Sequence, residues 1–118
     1  MELFISDKQL TWEEIGGGVS RKVMSYSGDL MVVKVRFRRG SIGADHQHPH
    51  TQISYVESGV FHYTIGGKTM TMEAGDTCLI PPDTVHGCRC IAEGVLIDAF
   101  TPARQDFIAT QTPLSGSQ

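Results

Sequence analysis

The chain is 118 residues long, close to the size of one ordinary domain and too short for two independent cores, so a single site is the default expectation. Ten Lys and Arg against thirteen Asp and Glu leave a formal charge of -3. Apart from "RFRR" at Arg36 to Arg39 the basic residues are scattered, which argues against a nucleic-acid partner. The N-terminus "MELFISDKQLTWEE" lacks a basic region followed by a long apolar run, and no stretch of roughly 18 apolar residues occurs, so the expectation is a soluble, unexported chain without a membrane segment.

Taken in order, the apolar residues recur with period two almost everywhere. Strand-like runs are "VSRKVMSYS" from Val19, "LMVVKVRF" from Leu30, "TQISYVES" from Thr51, "VFHYTI" from Val60, "KTMTM" from Lys68, "DTCLI" from Asp76, "VHGCRC" from Val85 and "VLIDAF" from Val95. In "LMVVKVRF", Met31, Val33, Val35 and Phe37 share one face. Turn residues separate the runs at "SGD" (27–29), "IGG" (65–67), "EAGD" (73–76), "PPDT" (81–84) and "AEG" (92–94). "FHYTIGGKTMTM" predicts a hairpin on a Gly-Gly turn. Only "PARQDFIAT" predicts a helix, a short one, and the tail "QTPLSGSQ" at 111–118 reads as disordered, which leaves one domain over 1–110. Many short, evenly spaced strands predict an all-β antiparallel barrel or double-sheet sandwich, because closure or stacking protects the edges.

Three cysteines, Cys78, Cys88 and Cys90, cannot all pair within the chain, which fits a reducing compartment, the cytoplasm. Cys88 and Cys90 form a C-x-C, but no second cysteine pair completes a zinc site, so apolar filling of a core is the favoured reading.

Three of the five histidines stand in "DHQHPHTQ". If the segment were extended throughout, His46, His48, Gln52, Ser54 and Val56 would share the inward face. Two imidazoles at i and i+2 can meet one ion at about 2.1 Å from each nitrogen, and His86, which opens a strand after "PPDTV", is the candidate third ligand. Pro49 interrupts ladder pairing, so His50 need not keep the register. The side occupied by His62 is undecided from pattern. For both, a solvated or hydrogen-bonded structural histidine is the simpler reading. The His46/His48 pair by itself also fits a polar loop or a tag remnant.

The surrounding frame resembles the cupin family. Gly40, five residues, His46, one residue, His48, three residues, Gln52, six residues and Gly59 resembles the first cupin motif, with Gln52 where most members carry Glu. Gly75, five residues, Pro81, one residue, Asp83, two residues and His86 resembles the second, with Asp83 at the usual Gly and Cys90 at the usual Asn. The resemblance implies a double-stranded β-helix, or jelly-roll barrel, in which His46, His48, Gln52 and His86 bind one divalent ion, with nickel, zinc, iron and manganese all compatible. Asp83 is a mild departure, because Asp tolerates the left-handed region. An all-neutral ligand set leaves the full dication to polarise substrate oxygens, which tilts the reading from oxygen chemistry toward Lewis-acid chemistry.

A closer resemblance runs nearly to residue 108. "WEEIGGGVSRKVMSY", "DLMVVKV", "GSIGADHQHPHTQISYV" and "VLIDAFTPARQDF" are similar to the small pectin-degradation cupins of the KdgF type. That resemblance implies a homodimer, with N-terminal strands such as "LFIS" covering sheet edges, and linearisation of 4,5-unsaturated monouronates to open-chain keto sugars. It makes Asp98, Phe100 and Arg104 of "DAFTPAR" the substrate residues. The residues alone favour a plain Asp98–Arg104 ion pair pinning the last strand to the C-terminal turn, with Phe100 as core. Two other classes stay open: a different metal-dependent cupin enzyme, such as a dioxygenase or small-acid lyase, and a non-catalytic sugar-binding module.

Overall fold

A computed structural model describes residues 2–110; the tail expected to be disordered lies outside them. Within these residues a 3-10 turn (Asp7–Gln9) precedes eight antiparallel strands, β1 (Glu13–Gly16), β2 (Val19–Tyr26), β3 (Met31–Phe37), β4 (Ile42–His46), β5 (Thr51–Ile65), β6 (Lys68–Glu73), β7 (Thr77–Ile80) and β8 (His86–Thr101), and one α-helix, α1 (Gln105–Thr110), follows them. The helix falls inside "PARQDFIAT", as its composition predicts.

Two of the strands are far longer than the sequence pattern indicates. "TQISYVES" and "VFHYTI" are one strand, β5, and "VHGCRC", "AEG" and "VLIDAF" are one strand, β8. The expected turn at 92–94 is instead a bend inside β8. The first half of β5 pairs with the second half of β8, and that pair is flanked by β3, β2 and β1 on one side and by β7 on the other. The remaining halves pair with each other between β4 and β6. Two sheets therefore face each other and share two bent strands, which is the jelly-roll arrangement.

The bend depends on glycine. Gly59 sits at φ +85°, and a Cβ there would lie 2.5 Å from the Ala92 carbonyl oxygen and 2.7 Å from the Gly94 Cα. Gly94 in turn backs onto the Ser58 carbonyl and the Gly59 Cα. Two backbones touch where both strands turn the corner, and no side chain fits between them. The register shifts between Val56 and Phe61, so the inward positions of β5 change from even (Gln52, Ser54, Val56) to odd (Phe61, Tyr63). His62 consequently points outward and is exposed.

The core follows the alternation read from the sequence. Phe37, Val56, Phe61, Met72, Ile80 and Leu96 fill one cluster between the sheets, and Cys88 and Cys90 belong to it. Burial pushes the Cys88 thiol up to about 12, so it packs as a small apolar group, as expected. Val23, Met31, Val33 and Phe100 form a second cluster, capped by Phe107 and Ile108 of α1. Gly66 and Gly67 both take positive φ, giving the tight turn predicted for the β5–β6 hairpin. The strands β1 and β4 have no counterpart among the sequence runs, because their residues are almost all exposed and leave no alternation to detect. "LFIS" lies outside the sheets in this single chain, with Leu3 and Phe4 exposed.

Gly59→Ala is expected to cost about 2 kcal/mol or more of unfolding free energy, from a strained φ and a backbone clash together. Gly28→Ala, where the new Cβ meets nothing within 4 Å, should change it by less than about 0.5 kcal/mol. Equal effects in urea denaturation would mean the corner contact does not constrain the fold.

Candidate metal centre and its pocket

The rung of the β4–β8 ladder that pairs His46 with His86 brings two imidazoles to one end of the space between the sheets, with ring centroids 4.3 Å apart. His48 arrives differently. The chain leaves strand geometry after His46, and His48 lies in the loop before β5, where its carbonyl accepts a hydrogen bond from the Asp83 backbone N–H at 2.8 Å. Asp83 takes φ +56°, the left-handed conformation expected of it. The continuous extended segment assumed for 46–56 is thus broken at 47–50, yet His48 still turns inward and is buried. The ligand nitrogens of His46, His48 and His86 lie within 4.8 Å of one another.

The donor set fits a cation. His46 and His86 each use Nδ1 to hydrogen-bond a backbone carbonyl, of Ala44 and Thr84 respectively, at 2.9 Å. Nδ1 is then the protonated nitrogen, and Nε2 keeps its lone pair. His86 Nε2 and His48 Nδ1, and His50 Nδ1 beside them, are buried without a hydrogen-bond partner, an arrangement that costs free energy unless something positive or protic meets them. Burial lowers the pKa of His48 to about 4, with the Arg104 charge as a second cause, and burial also lowers that of His86. Both imidazoles are therefore neutral near pH 7, the form that binds metal. Gln52 Oε1 stands 3.0 Å from His48 Nε2. An amide oxygen can only accept, so Nε2 of His48 carries the ring proton and the lone pair is left on Nδ1, the unpartnered nitrogen.

Beyond the histidines the same end of the barrel holds a cavity of about 150 Å³, lined among others by His46, Gln52, Tyr63, Asp98, Phe100 and Arg104. Asp98 enters it from β8, opposite Ser54 on β5. Burial pushes the Asp98 carboxyl up to about 6, against the lowering effects of hydrogen bonds from Ser54 and Gln52 and of the Arg104 charge. Ser54 Oγ donates to Asp98 Oδ1 at 2.6 Å. The ion pair expected between Asp98 and Arg104 is not formed. Arg104 instead donates through Nε and Nη2 to Asp106 in the first turn of α1, at 3.1 and 2.8 Å. A carboxylate two residues away reaches the guanidinium more readily than one fixed across a strand. The Arg104 guanidinium also stacks on Phe107, 4.0 Å from the ring centroid. Phe100 is buried and packs edge-on against His48 at 5.7 Å.

A family model described as "Cupin domain" matches residues 33–99. The pectin degradation protein KdgF of Dickeya dadantii (strain 3937) is 41% identical over 110 residues, which cover 92% of this chain and all of that one. The chain belongs to the cupin family. Among solved structures, an RmlC-like cupin from Shewanella frigidimarina NCIMB 400 is 42% identical, with a TM-score of 0.88 over 91% of this chain and 96% of that one. KdgF from Halomonas sp. is 34% identical, with a TM-score of 0.87 over 91% and 99%.

Within this cupin the four residues anticipated from the first and second motifs, His46, His48, Gln52 and His86, converge at one place. His50 does not join them; it packs against His48 at 5.1 Å and Phe100 at 6.3 Å. Asp98, Phe100 and Arg104 line the adjoining cavity. Four contributors carry no functional assignment from the sequence. Ser54 showed only as an inward-facing polar residue and Tyr63 only as part of the strand run "VFHYTI"; Asp106 and Phe107, the partners of Arg104, left no pattern.

The raised pKa of Asp98 sets a sign for stability. In the unfolded chain the group titrates near 3.8 and in the metal-free fold near 6, so the fold favours its protonated form. Stability from this group is complete below about pH 4 and is lost as pH rises through about 6, by about 3 kcal/mol at most. The depressed histidines act in the opposite direction, so the informative quantity is the difference between metal-free wild type and Asp98→Asn. That difference should shift against wild type between pH 4 and 6 in denaturant titrations, and a pH-independent difference would contradict the assignment.

Proposed function

We propose that this cupin acts in pectin or alginate breakdown by opening the ring of 4,5-unsaturated monouronates to linear keto-uronates, with a divalent ion held by His46, His48, Gln52 and His86. The observation that carries the proposal is Asp98: a buried carboxyl with a pKa near 6, facing a cavity beside a cluster of neutral metal donors. The naming of the Dickeya and Halomonas relatives supports the substrate class. A cavity of about 150 Å³ lies below the usual range of about 300–1,000 Å³ for drug-sized ligands, which suits a single sugar ring over an oligosaccharide. The free thiols of Cys78, Cys88 and Cys90 support a cytoplasmic setting.

The substrate is a cyclic hemiacetal whose ring oxygen sits on the alkene carbon that bears the carboxylate. Asp98 accepts the proton of the anomeric hydroxyl, the carbonyl of the aldehyde forms, and the bond from the anomeric carbon to the ring oxygen breaks. The released electron pair leaves an enolate, and a proton delivered to the neighbouring alkene carbon converts it to CH₂ beside a 2-keto acid. Atoms and charge balance without oxidant or water. Asp98, with a pKa near 6, is suited to both proton transfers near neutral pH. A bound divalent ion supplies Lewis-acid stabilisation of the oxygen charge that grows during opening. Arg104 keeps Nη1 clear of its bonds to Asp106 and offers it to the substrate carboxylate. Phe100 walls the ring.

The deciding experiment incubates the protein with lyase-generated unsaturated monouronates and follows loss of their conjugated-alkene absorbance. Activity should disappear with a strong chelator and return when metal is restored. Asp98→Asn should lower kcat by about 10²- to 10⁴-fold while metal stays bound. Arg104→Ala should lower kcat/KM by about 10- to 100-fold, the value of a charge-assisted hydrogen bond. Wild-type turnover by metal-loaded Asp98→Asn would remove the proposed role of Asp98, and no absorbance change with the native protein would remove the substrate assignment.

A further inference from the structure

A chain of buried hydrogen bonds runs from Asp98 to the metal donors and passes through two side chains with no assigned role. Ser54 is fully buried and Tyr63 is 5% exposed. Gln52 Nε2 donates to Ser54 Oγ at 3.1 Å and to Tyr63 OH at 3.4 Å. Ser54 and Tyr63 are themselves 3.0 Å apart.

Proton accounting fixes every direction in this chain. A serine hydroxyl carries one proton, and that of Ser54 is committed to Asp98 at 2.6 Å. Tyr63 must therefore donate to Ser54. Toward Gln52 the Ser54 oxygen can only accept, so it selects the NH₂ end of the amide, the end that the Asp98 carboxylate also favours. The amide oxygen is thereby turned to the other side, toward His48. In the flipped amide, two oxygens with no proton between them would face each other across 3.1 Å, and an N–H would point at the imidazole nitrogen in place of a lone pair.

We infer that Ser54 and Tyr63 are positioning residues for the metal centre, holding the Gln52 amide with its oxygen toward the histidines and tying its orientation to the Asp98 carboxylate. The arrangement also accounts for an amide at a position where most cupins carry a carboxylate. A glutamate in place of Gln52 has no N–H to give the Ser54 oxygen, whose own proton is held by Asp98, and would set two acceptors against each other there.

The inference rests on the metal-centre part of the proposed function and is independent of the substrate. Its test measures Ni²⁺ and Zn²⁺ affinity by competition with a chromogenic chelator for wild type, Ser54→Ala, Tyr63→Phe, Gln52→Ala and the Gln52→Ala/Ser54→Ala double variant. Ser54→Ala should weaken affinity by about 10- to 100-fold, the range typical of groups that orient a ligand, and Tyr63→Phe should weaken it less. In the Gln52→Ala background the Ser54 effect should vanish, because there is no amide left to orient. Thermal midpoints of the metal-free variants separate loss of folding from loss of affinity, and Tyr63→Phe, nearly unchanged in volume, guards against a packing artefact. Wild-type affinity in both single variants, or an undiminished Ser54 effect on Gln52→Ala, overturns the inference. A native protein that binds neither ion overturns the metal centre and the inference together, whereas failure of the uronate assay alone leaves both standing.

Discussion

The antiparallel pairing of β5 with β8 is the constraint on which the rest of the molecule depends. These two strands belong to both sheets, so one ladder closes the barrel and also sets what faces what inside it. It places Ser54 opposite Asp98 and Gln52 opposite Phe100. A slip of one residue would turn Asp98 to the outside and break the polar chain, since side chains alternate faces with a period of two. The corner at Gly59 and Gly94 keeps the ladder intact while it changes direction.

The interior built on that ladder is divided in character. Toward β6 and the Gly59 corner it is apolar and close-packed, with Phe61, Val56 and Leu96 buried. Toward the loop at 47–50 it carries Gln52, Ser54, His86 and Asp98, all buried. Buried polar groups are tolerable only when they satisfy one another, and most of these do. The exceptions among the described residues, His48 Nδ1, His50 Nδ1 and His86 Nε2, belong to the histidine cluster and to His50 packed beside it. Unmet polar capacity at one spot in an otherwise satisfied network is the physical mark of a site shaped for something other than stability.

Arg104 shows how local chemistry overrides a pairing inferred from a strand face. Asp98 and Arg104 both border the cavity, and their charges still influence each other. The guanidinium nonetheless bonds to Asp106, its neighbour at the start of α1, and stacks on Phe107. The helix thus holds the arginine at the rim and leaves Asp98 to the hydroxyl of Ser54. Separating the two lets a carboxyl with a raised pKa coexist with a cation in one small cavity.

The class of fold, the short C-terminal helix and the residues that gather at the candidate metal centre were legible in the sequence alone. Alternation with period two is a property of the chain, and a motif-like spacing of His, Gln, Pro and Gly needs no coordinates to be read. Asp83 at a position needing positive φ was legible for the same local reason. That the runs at 51–58 and 60–65 are one strand and that "AEG" continues β8 emerges only in the folded chain, because a bend is set by a touching backbone in another strand. The exposure of His62 follows from that register shift, which no periodicity within its own run reveals. His46, Gln52, His86 and Asp98 come from three different strands, and the hydroxyls of Ser54 and Tyr63 acquire their role only through what lies across from them. Hydrogen bonds between distant segments depend on distances that the chain order does not contain.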